Sequence, residues 1–235
     1  MSLYFLILLL SGAVPFLYSF NKRLRFYKYW PSLIISTILI MIPYLIWDKY
    51  FTENAYWGFN ELYLSGIYFF SLPLEEILFF VVIPYCCVFT FYSLKYYFPK
   101  LTLSKGITIG IGVLLLLLSA FMVITKSHLA YTFINFSFLF MVVLLALIFN
   151  IKLLSDFLWV FPVILVPFFI VNGVLTGFGI EQEVVWYNPD VFMGIRLFTI
   201  PLEDTFYAFS MLLSNLLLMD VIEKRIHKIK THPAT

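Results

Sequence analysis

Long apolar runs separated by short polar segments make up most of this chain. Seven of the runs come close to or exceed the roughly 20 residues that a helix needs to cross the hydrocarbon core of a bilayer. Because charged residues rarely interrupt them, the pattern predicts an all-α integral membrane protein with about seven transmembrane helices. The predicted spans cover residues 3–20, 30–47, 66–94, 106–124, 129–149, 157–175 and 197–219.

Composition supports this prediction and excludes several other classes. Of the 235 residues, 63% are hydrophobic and only 12% are charged, whereas soluble domains carry about 25% charged residues. The net charge of +2 is too small to indicate a nucleic-acid partner. The only cysteines, Cys86 and Cys87, are adjacent within an apolar run, so the sequence predicts neither a disulfide framework nor a spaced metal site.

Basic residues fall mainly on one side of the predicted membrane. Counted over alternate loops, 12 Lys and Arg residues lie on one side and 3 on the other. The positive-inside rule then places the carboxyl terminus in the cytoplasm and the amino terminus outside. The basic cluster follows the first span instead of preceding it, which favours an uncleaved anchor over a signal peptide. We expect the protein in a bacterial cytoplasmic membrane.

The segment Pro73–Glu76 recurs as Pro201–Asp204, with the sequence Pro-Leu-Glu-Glu in the first copy and Pro-Leu-Glu-Asp in the second. The offset of 128 residues also aligns Asn60 with Asn188, Gly66 with Gly194, and Phe70 with Phe198. Such self-similarity indicates an internal duplication. We predict a first repeat over residues 1–98, a connector helix over 99–126 and a second repeat over 127–235. The repeats run parallel, related by an axis along the membrane normal.

The four acids of the repeated segments are the candidate catalytic residues. Ionisable groups within membrane spans are costly and usually functional. An apolar site favours the neutral form of a carboxyl group, which is then a proton donor. We expect the two prolines to lie inside kinked helices, where freed carbonyl groups line a cavity. The candidates are Glu75, Glu76, Glu203 and Asp204.

Further candidates surround the acids. Aromatic ring faces stabilise transient cations, so neighbouring rings are candidate substrate-binding residues: Phe70, Phe79, Phe80, Phe198, Phe206 and Tyr207. Three polar residues are candidates for orienting the acids. Asn60 and Asn188 either orient them or cap the segments that re-enter the membrane, and Arg196 lies two turns before Glu203.

Other signatures are missing. No Gly-x-Gly-x-x-Gly segment follows a strand, which argues against a dinucleotide cofactor. No aspartate-rich segment is present for holding a metal diphosphate, and adjacent acids in apolar helices provide few oxygen ligands. We therefore predict no cofactor and no metal.

The doubled Pro-Leu-Glu-Glu and Pro-Leu-Glu-Asp segments, each followed by aromatic residues, resemble the paired signature of the membrane-embedded lycopene cyclase family. This family occurs as two small subunits or one fused chain and is distinct from the flavin-binding cyclases. The resemblance covers essentially the whole chain. It implies a cofactor-independent lycopene β-cyclase that draws a hydrophobic carotenoid from the bilayer. It leaves open a homo-oligomer or an association with other carotenoid enzymes.

The implied reaction is an isomerisation without net redox change. An acid protonates the terminal double bond of a linear carotene, a neighbouring double bond attacks the cation, and loss of a ring proton gives a β-ionone ring. By similarity the roles fall to the four acids, with Glu75 and Glu203 favoured because they occupy the shared Glu position. The sequence does not assign which group donates and which accepts the proton.

Two other classes of function remain open. A carotenoid hydratase, or another terpenoid-modifying enzyme, would begin with the same protonation. A proton-coupled transporter would also use parallel repeats and buried acids. It would require a polar path to both faces, however, and the distal halves of the two acid-bearing spans are almost wholly apolar. A structural scaffold comes last because it gives no reason to repeat buried acids.

Overall fold

A computed structural model describes the backbone of residues 2–231 and the side chains of residues 2–226. Seven helices account for most of this part of the chain. They are α1 (Leu3–Tyr18), α2 (Trp30–Glu53), α3 (Leu74–Tyr97), α4 (Lys105–Thr125), α5 (Ala130–Phe149), α6 (Ile151–Leu175) and α7 (Leu202–Thr231). Six short strands lie between them: β1 (Trp57–Phe59), β2 (Tyr68–Phe69), β3 (Leu72–Pro73), β4 (Val185–Tyr187), β5 (Arg196–Leu197) and β6 (Ile200–Pro201).

The helices confirm the predicted fold class of an all-α integral membrane protein. Within the described residues, six helical segments are long and apolar enough to cross a membrane. The remaining helix, α1, has 16 residues and extends about 24 Å at 1.5 Å per residue. It is therefore shorter than the roughly 30 Å hydrocarbon core.

The two prolines of the repeated segments do not lie inside helices, so the expectation of kinked helices is wrong. Pro73 has extended backbone angles (φ −63°, ψ 147°) and caps α3, which begins at Leu74. Upstream, β2 pairs with β3 in a tight hairpin, and β5 pairs with β6 in a second hairpin before α7. A proline keeps the preceding residue out of the α region, so the apolar chain before it is extended. The predicted spans 66–94 and 197–219 thus start too early.

Helix packing follows a two-fold pattern. Within each half, the first helix packs on the acid-bearing helix: α1 on α3, and α5 on α7. Between the halves, the second helix packs on the acid-bearing helix of the other half: α2 on α7, and α6 on α3. Each acid-bearing helix therefore contacts elements of both halves of the chain. Helix α4 packs mainly against α5 and also contacts α6.

The strands β1 and β4 join the two halves with the same symmetry. They pair antiparallel, with Gly58 opposite Trp186 at the centre. Two flanking backbone bonds are equivalent under the 128-residue offset: Asn60 N to Val184 O (2.8 Å) and Asn188 N to Tyr56 O (2.9 Å). Glycine is required at this crossing because a Cβ atom at Gly58 would overlap the Trp186 indole. The repeat boundaries at residues 98 and 127 stay predictions.

Candidate active site

The four repeated acids lie in the first turns of α3 and α7. Adjacent residues on a helix point about 100° apart, so the two acids of each pair have different surroundings. The first acid of each pair faces the hairpin before its helix. The second faces a cavity between the two halves of the chain.

Glu75 and Glu203 make matching contacts. Glu75 Oε1 accepts hydrogen bonds from the Ser65 amide (2.7 Å) and the Ser2 hydroxyl (2.6 Å). Glu203 Oε1 accepts bonds from the Met193 amide (2.8 Å) and the Thr132 hydroxyl (2.7 Å). Both side chains are fully buried, and neither lines the cavity. These two acids tie the chain before each hairpin to the start of the following helix.

Glu76 and Asp204 face the same cavity. Glu76 Oε2 accepts a 2.6 Å bond from the Tyr4 hydroxyl, while no described side chain or amide donates to Oε1. Asp204 has three donors: Tyr131 to Oδ1 (2.5 Å), and Asn172 (2.9 Å) and Tyr187 (3.0 Å) to Oδ2. One carboxyl group thus has an open oxygen, and the other is surrounded by donors.

Tyr187 belongs to β4, outside the helices. Burial, followed by the nearby Asp204 carboxyl, raises the pKa of Tyr187 well above its ordinary value. Its hydroxyl therefore keeps the proton that it donates to Asp204.

The cavity has a volume of about 300 Å³ and extends along the bundle. On α3 its lining runs from Glu76 to Thr90, about 21 Å at 1.5 Å per residue. The carboxyl groups lie at one end, beside a group of aromatic rings, and the rest of the wall is mostly apolar. The lining rings at this end include Tyr4, Trp57, Phe79, Tyr131, Tyr187 and Tyr207.

Helices α1 and α6 both contribute to the wall of the cavity. The lining includes Pro15 of α1 and Ile170 of α6, and Ile170 is 66% exposed. Because Pro15 has no amide hydrogen, it makes no hydrogen bond to the Ser11 carbonyl. The Cys86 thiol donates to that oxygen instead, with Sγ 3.4 Å away.

The predicted aromatic residues divide into three groups. Phe79 and Tyr207, equivalent at the 128-residue offset, both line the cavity. Phe80 is buried in the core beside Tyr44, and Phe206 packs on Phe136 at 4.9 Å between ring centroids. Phe70 and Phe198 are more than 80% exposed at the hairpin tips, where both have positive φ. These last two rings do not line the cavity.

The structure favours capping over orientation for the two asparagines. Asn60 Oδ1 accepts from the Leu62 amide (3.1 Å), and Asn188 Oδ1 accepts from the Asp190 amide (3.0 Å). Each bond caps a single 3₁₀ turn. Arg196 bonds the Thr199 carbonyl, and its guanidinium lies 5.1 Å from the Phe192 ring centroid. In the described contacts Arg196 does not bond Glu203.

Sequence reasoning missed the three tyrosines that bond the cavity acids. Tyr4, Tyr131 and Tyr187 lie 17 to 73 residues away from the acids they contact. Tyr4 and Tyr131 each come near the start of the helix that packs on an acid-bearing helix. That position is the one signal that points to them. Within the described residues, no three His, Cys, Asp or Glu side chains are grouped to hold a metal ion.

Seven packed helices, with an apolar cavity that ends in carboxyl groups, define an integral membrane protein able to hold an apolar molecule against acids. The lycopene cyclase family model matches residues 1–94 and 128–222 of the chain. The chain belongs to the lycopene cyclase family. It is therefore a carotene cyclase of carotenoid biosynthesis, and its substrate is a hydrophobic carotenoid. The chain matches no curated protein and no solved structure.

Proposed function

We propose that this protein is a lycopene β-cyclase, which converts linear carotene end groups to β-ionone rings by acid catalysis without net redox change. One observation carries the proposal: Glu76 and Asp204, from the two halves of the chain, face one apolar cavity. A carbocation reaction requires a proton donor and a stabilising anion in a dry pocket. This cavity supplies both.

Glu76 is the proton donor in this proposal. Tyr4 holds one of its oxygens, and the other is open to the cavity. A carboxyl group in an apolar pocket favours its neutral form. General acid catalysis by such a group typically contributes 10²- to 10⁴-fold to the rate.

Asp204 is the stabilising anion. Three donors occupy most of the roughly four acceptor positions of its oxygens, an arrangement that suits a carboxylate. A fixed negative charge at the closed end of the cavity stabilises the cation that forms after protonation. The faces of Phe79 and Tyr207 add a cation–π contribution from the sides.

Glu75 and Glu203 act as positioning residues. Each binds a main-chain amide before its hairpin, and each immediately precedes a cavity acid on its helix. By fixing the start of the helix, each sets the direction in which the next side chain points. This assignment replaces the sequence-based preference for Glu75 and Glu203 as the principal acids.

The substrate enters from the bilayer between α1 and α6. A volume of about 300 Å³ is at the lower end for ligand pockets. It suits one end group and part of its chain, with the remainder of the carotenoid left in lipid.

The two parallel repeats, over residues 1–98 and 127–235, contribute to one composite site, because Glu76 comes from the first and Asp204 from the second. The distribution of basic residues supports a cytoplasmic carboxyl terminus, in a membrane that we propose to be the bacterial cytoplasmic membrane.

The test is pigment chromatography of a bacterial host that accumulates lycopene and expresses this chain. We expect wild type to produce γ- or β-carotene. The Glu76→Gln variant keeps the size of the side chain but removes the acid, and we expect about a 100-fold or greater loss of cyclised product. The matched control is Glu61→Gln, because Glu61 is an exposed acid on the segment before the same hairpin.

Unchanged lycopene with wild type, at a normal membrane level of protein, would reject the proposed function. A hydroxylated acyclic carotenoid would identify a hydratase. Full activity in Glu76→Gln would leave a cyclase but would remove Glu76 as its acid.

A further inference from the structure

A third carboxyl group, Asp48 of α2, lines the same cavity as Glu76 and Asp204. It is only 2% exposed. Its Oδ1 accepts a 2.6 Å hydrogen bond from Trp57 Nε1, which fixes the plane of the carboxyl group. Its Oδ2 is buried and makes no hydrogen bond of normal length, although the Thr52 hydroxyl, one turn further along α2, is close enough to stabilise the carboxyl group.

An unpartnered buried oxygen is costly. Leaving such a group unsatisfied destabilises a protein by about 1–3 kcal/mol, and most buried polar atoms have a partner. Asp48 Oδ2 therefore calls for an explanation beyond packing. A carboxylate oxygen with free lone pairs, at the wall of a cavity, is able to accept a proton from a bound molecule.

The other half of the chain has an amide at the corresponding place. Asp48 follows Pro43 by five residues, and Asn172 follows Pro167 by five residues. Asn172 donates to Asp204, whereas Asp48 as a carboxylate has no hydrogen to donate. Asp48 instead interacts electrostatically with Glu76. The two halves are thus chemically different where their overall architecture is alike.

We propose that Asp48 is the base that removes the ring proton, a role that rests on the proposed cyclase function. Glu76 gives its proton to the terminal alkene carbon, and the neighbouring double bond forms the ring carbon–carbon bond. The C–H bond beside the new cationic carbon then breaks. Its electron pair forms the ring double bond, and its proton goes to Asp48 Oδ2. Transfer of that proton to Glu76 restores the starting state without any oxidant or reductant.

Asp204 is less suited to this step because Tyr131, Asn172 and Tyr187 occupy three of its roughly four acceptor positions. Asp48 has one hydrogen bond of normal length, from Trp57 to Oδ1, and none to Oδ2. The three carboxyl groups then have separate roles: Glu76 as acid, Asp204 as counter-ion and Asp48 as base.

The testing variant is Asp48→Asn. The Asn side chain keeps the shape and the bond from Trp57 through its carbonyl oxygen, but its Nδ2 cannot accept a proton. The readouts are cyclised carotene and the deuterium content of recovered lycopene after incubation of membranes in D₂O. In the proposed scheme the cation returns a proton to Glu76 when no base removes the ring proton, so this exchange labels acyclic substrate with deuterium.

We expect Asp48→Asn to lose cyclisation by about 100-fold and to retain deuterium incorporation into lycopene. Glu76→Gln should lose both, and the control Asp190→Asn, at an exposed acid, should lose neither. Wild-type cyclisation in Asp48→Asn would overturn the proposal. Loss of labelling together with cyclisation would also overturn it, because Asp48 would then act on the first step.

A second pair of variants covers a failure of Asp48→Asn to accumulate in the membrane. Asp48→Glu keeps a carboxyl group and should retain measurable cyclisation, whereas Asp48→Gln should have none. Equal activity in these two variants would contradict the role of base. Absence of cyclisation in wild type would instead reject the proposed function, so the two failures are distinguishable.

Discussion

Two adjacent acids in one segment have unlike surroundings because a helix turns their side chains apart. Glu203 bonds the Met193 amide, and Asp204 bonds side chains around the cavity. The same division holds for Glu75 and Glu76 in the first half. The repeated motif therefore combines one residue that bonds the chain before the hairpin with one that faces the cavity.

This division predicts different results for the two acids of a pair. Glu203→Gln keeps a carbonyl oxygen for the Met193 amide and the Thr132 hydroxyl, so we expect at most about a tenfold loss of activity, through positioning. Asp204→Asn should lose about 100-fold or more, because the stabilising anion is removed. Cyclised carotene per amount of membrane protein measures both. Equal losses would show that the first acid also takes part in the chemistry.

The donors around Asp204 give a second prediction. Tyr131→Phe removes the hydrogen bond from the Tyr131 hydroxyl to the Asp204 carboxylate and leaves the size of the ring nearly unchanged. A hydrogen bond to a charged group contributes about 1.5–3 kcal/mol, so we expect the turnover number to fall at least about tenfold. The affinity for the carotenoid should change little. Tyr50→Phe, at an exposed tyrosine, is the control; a loss of affinity alone would contradict the assigned role.

The sequence predicted four acids within apolar helices; Glu75, Glu203 and Asp204 are buried, whereas Glu76 is partly buried at the cavity wall. The direction of their side chains was not predictable from the sequence. That direction depends on the Ser65 and Met193 amides, which lie ten residues before the acids they bind. The hydrophobic periodicity of the sequence does not indicate a hydrogen bond between a main-chain amide and a side chain ten residues later. Asp48 has only a weak signal in the sequence, its position after Pro43, which matches the position of Asn172 after Pro167. That signal does not show that its side chain faces the cavity.

At the scale of elements, the seven helices follow from hydrophobicity alone, whereas the two hairpins do not. The eight residues before Leu74 are nearly as apolar as a membrane span. These residues form a hairpin and not helical turns because proline interrupts a helix and because Phe70 and Phe198 have positive φ, which a right-handed helix does not allow. Hydropathy averages over these local effects and so extends each span too far.

The entry route proposed between α1 and α6 predicts a residue that controls substrate entry. Ile170 lines the cavity and is 66% exposed, so Ile170→Trp adds a large ring on this route, and we expect the apparent KM for the carotenoid to rise several-fold with little change in kcat. Leu114→Trp places the same ring on α4, where Leu114 is 65% exposed and lies outside the cavity lining. Kinetics in lipid vesicles compare the two. Equal effects would show that the route lies elsewhere.

At the scale of the whole molecule, the cavity takes residues from both predicted repeats. Glu76 comes from the first, and Asp204 and Tyr187 come from the second. Residues 1–98 or 99–235 expressed alone should therefore give no cyclised product, and co-expression should restore it. Chromatography of the pigments is the measurement. Activity from either fragment alone would contradict a composite site.

The contact between Gly58 and Trp186 predicts a loss of stability on substitution. An added methyl group in Gly58→Ala has no space beside the indole, and overpacking costs typically about 1–3 kcal/mol. We expect a lower melting temperature in detergent and partial recovery in the double variant with Trp186→Leu. Gly106→Ala is the control, because nothing lies within 4 Å of its added Cβ.

The same contact governs which halves recognise each other. In a homodimer of first halves, Gly58 would face Gly58 and leave a void, while in a homodimer of second halves two Trp186 indoles would compete for one space. Only the mixed pair fits a large ring against a missing side chain. Specificity of this kind works by excluding wrong partners as well as by favouring the right one. After a gene duplication that produced this asymmetry, each half would pair with the other half and not with a copy of itself. This holds whether the two halves are translated as one chain or as two.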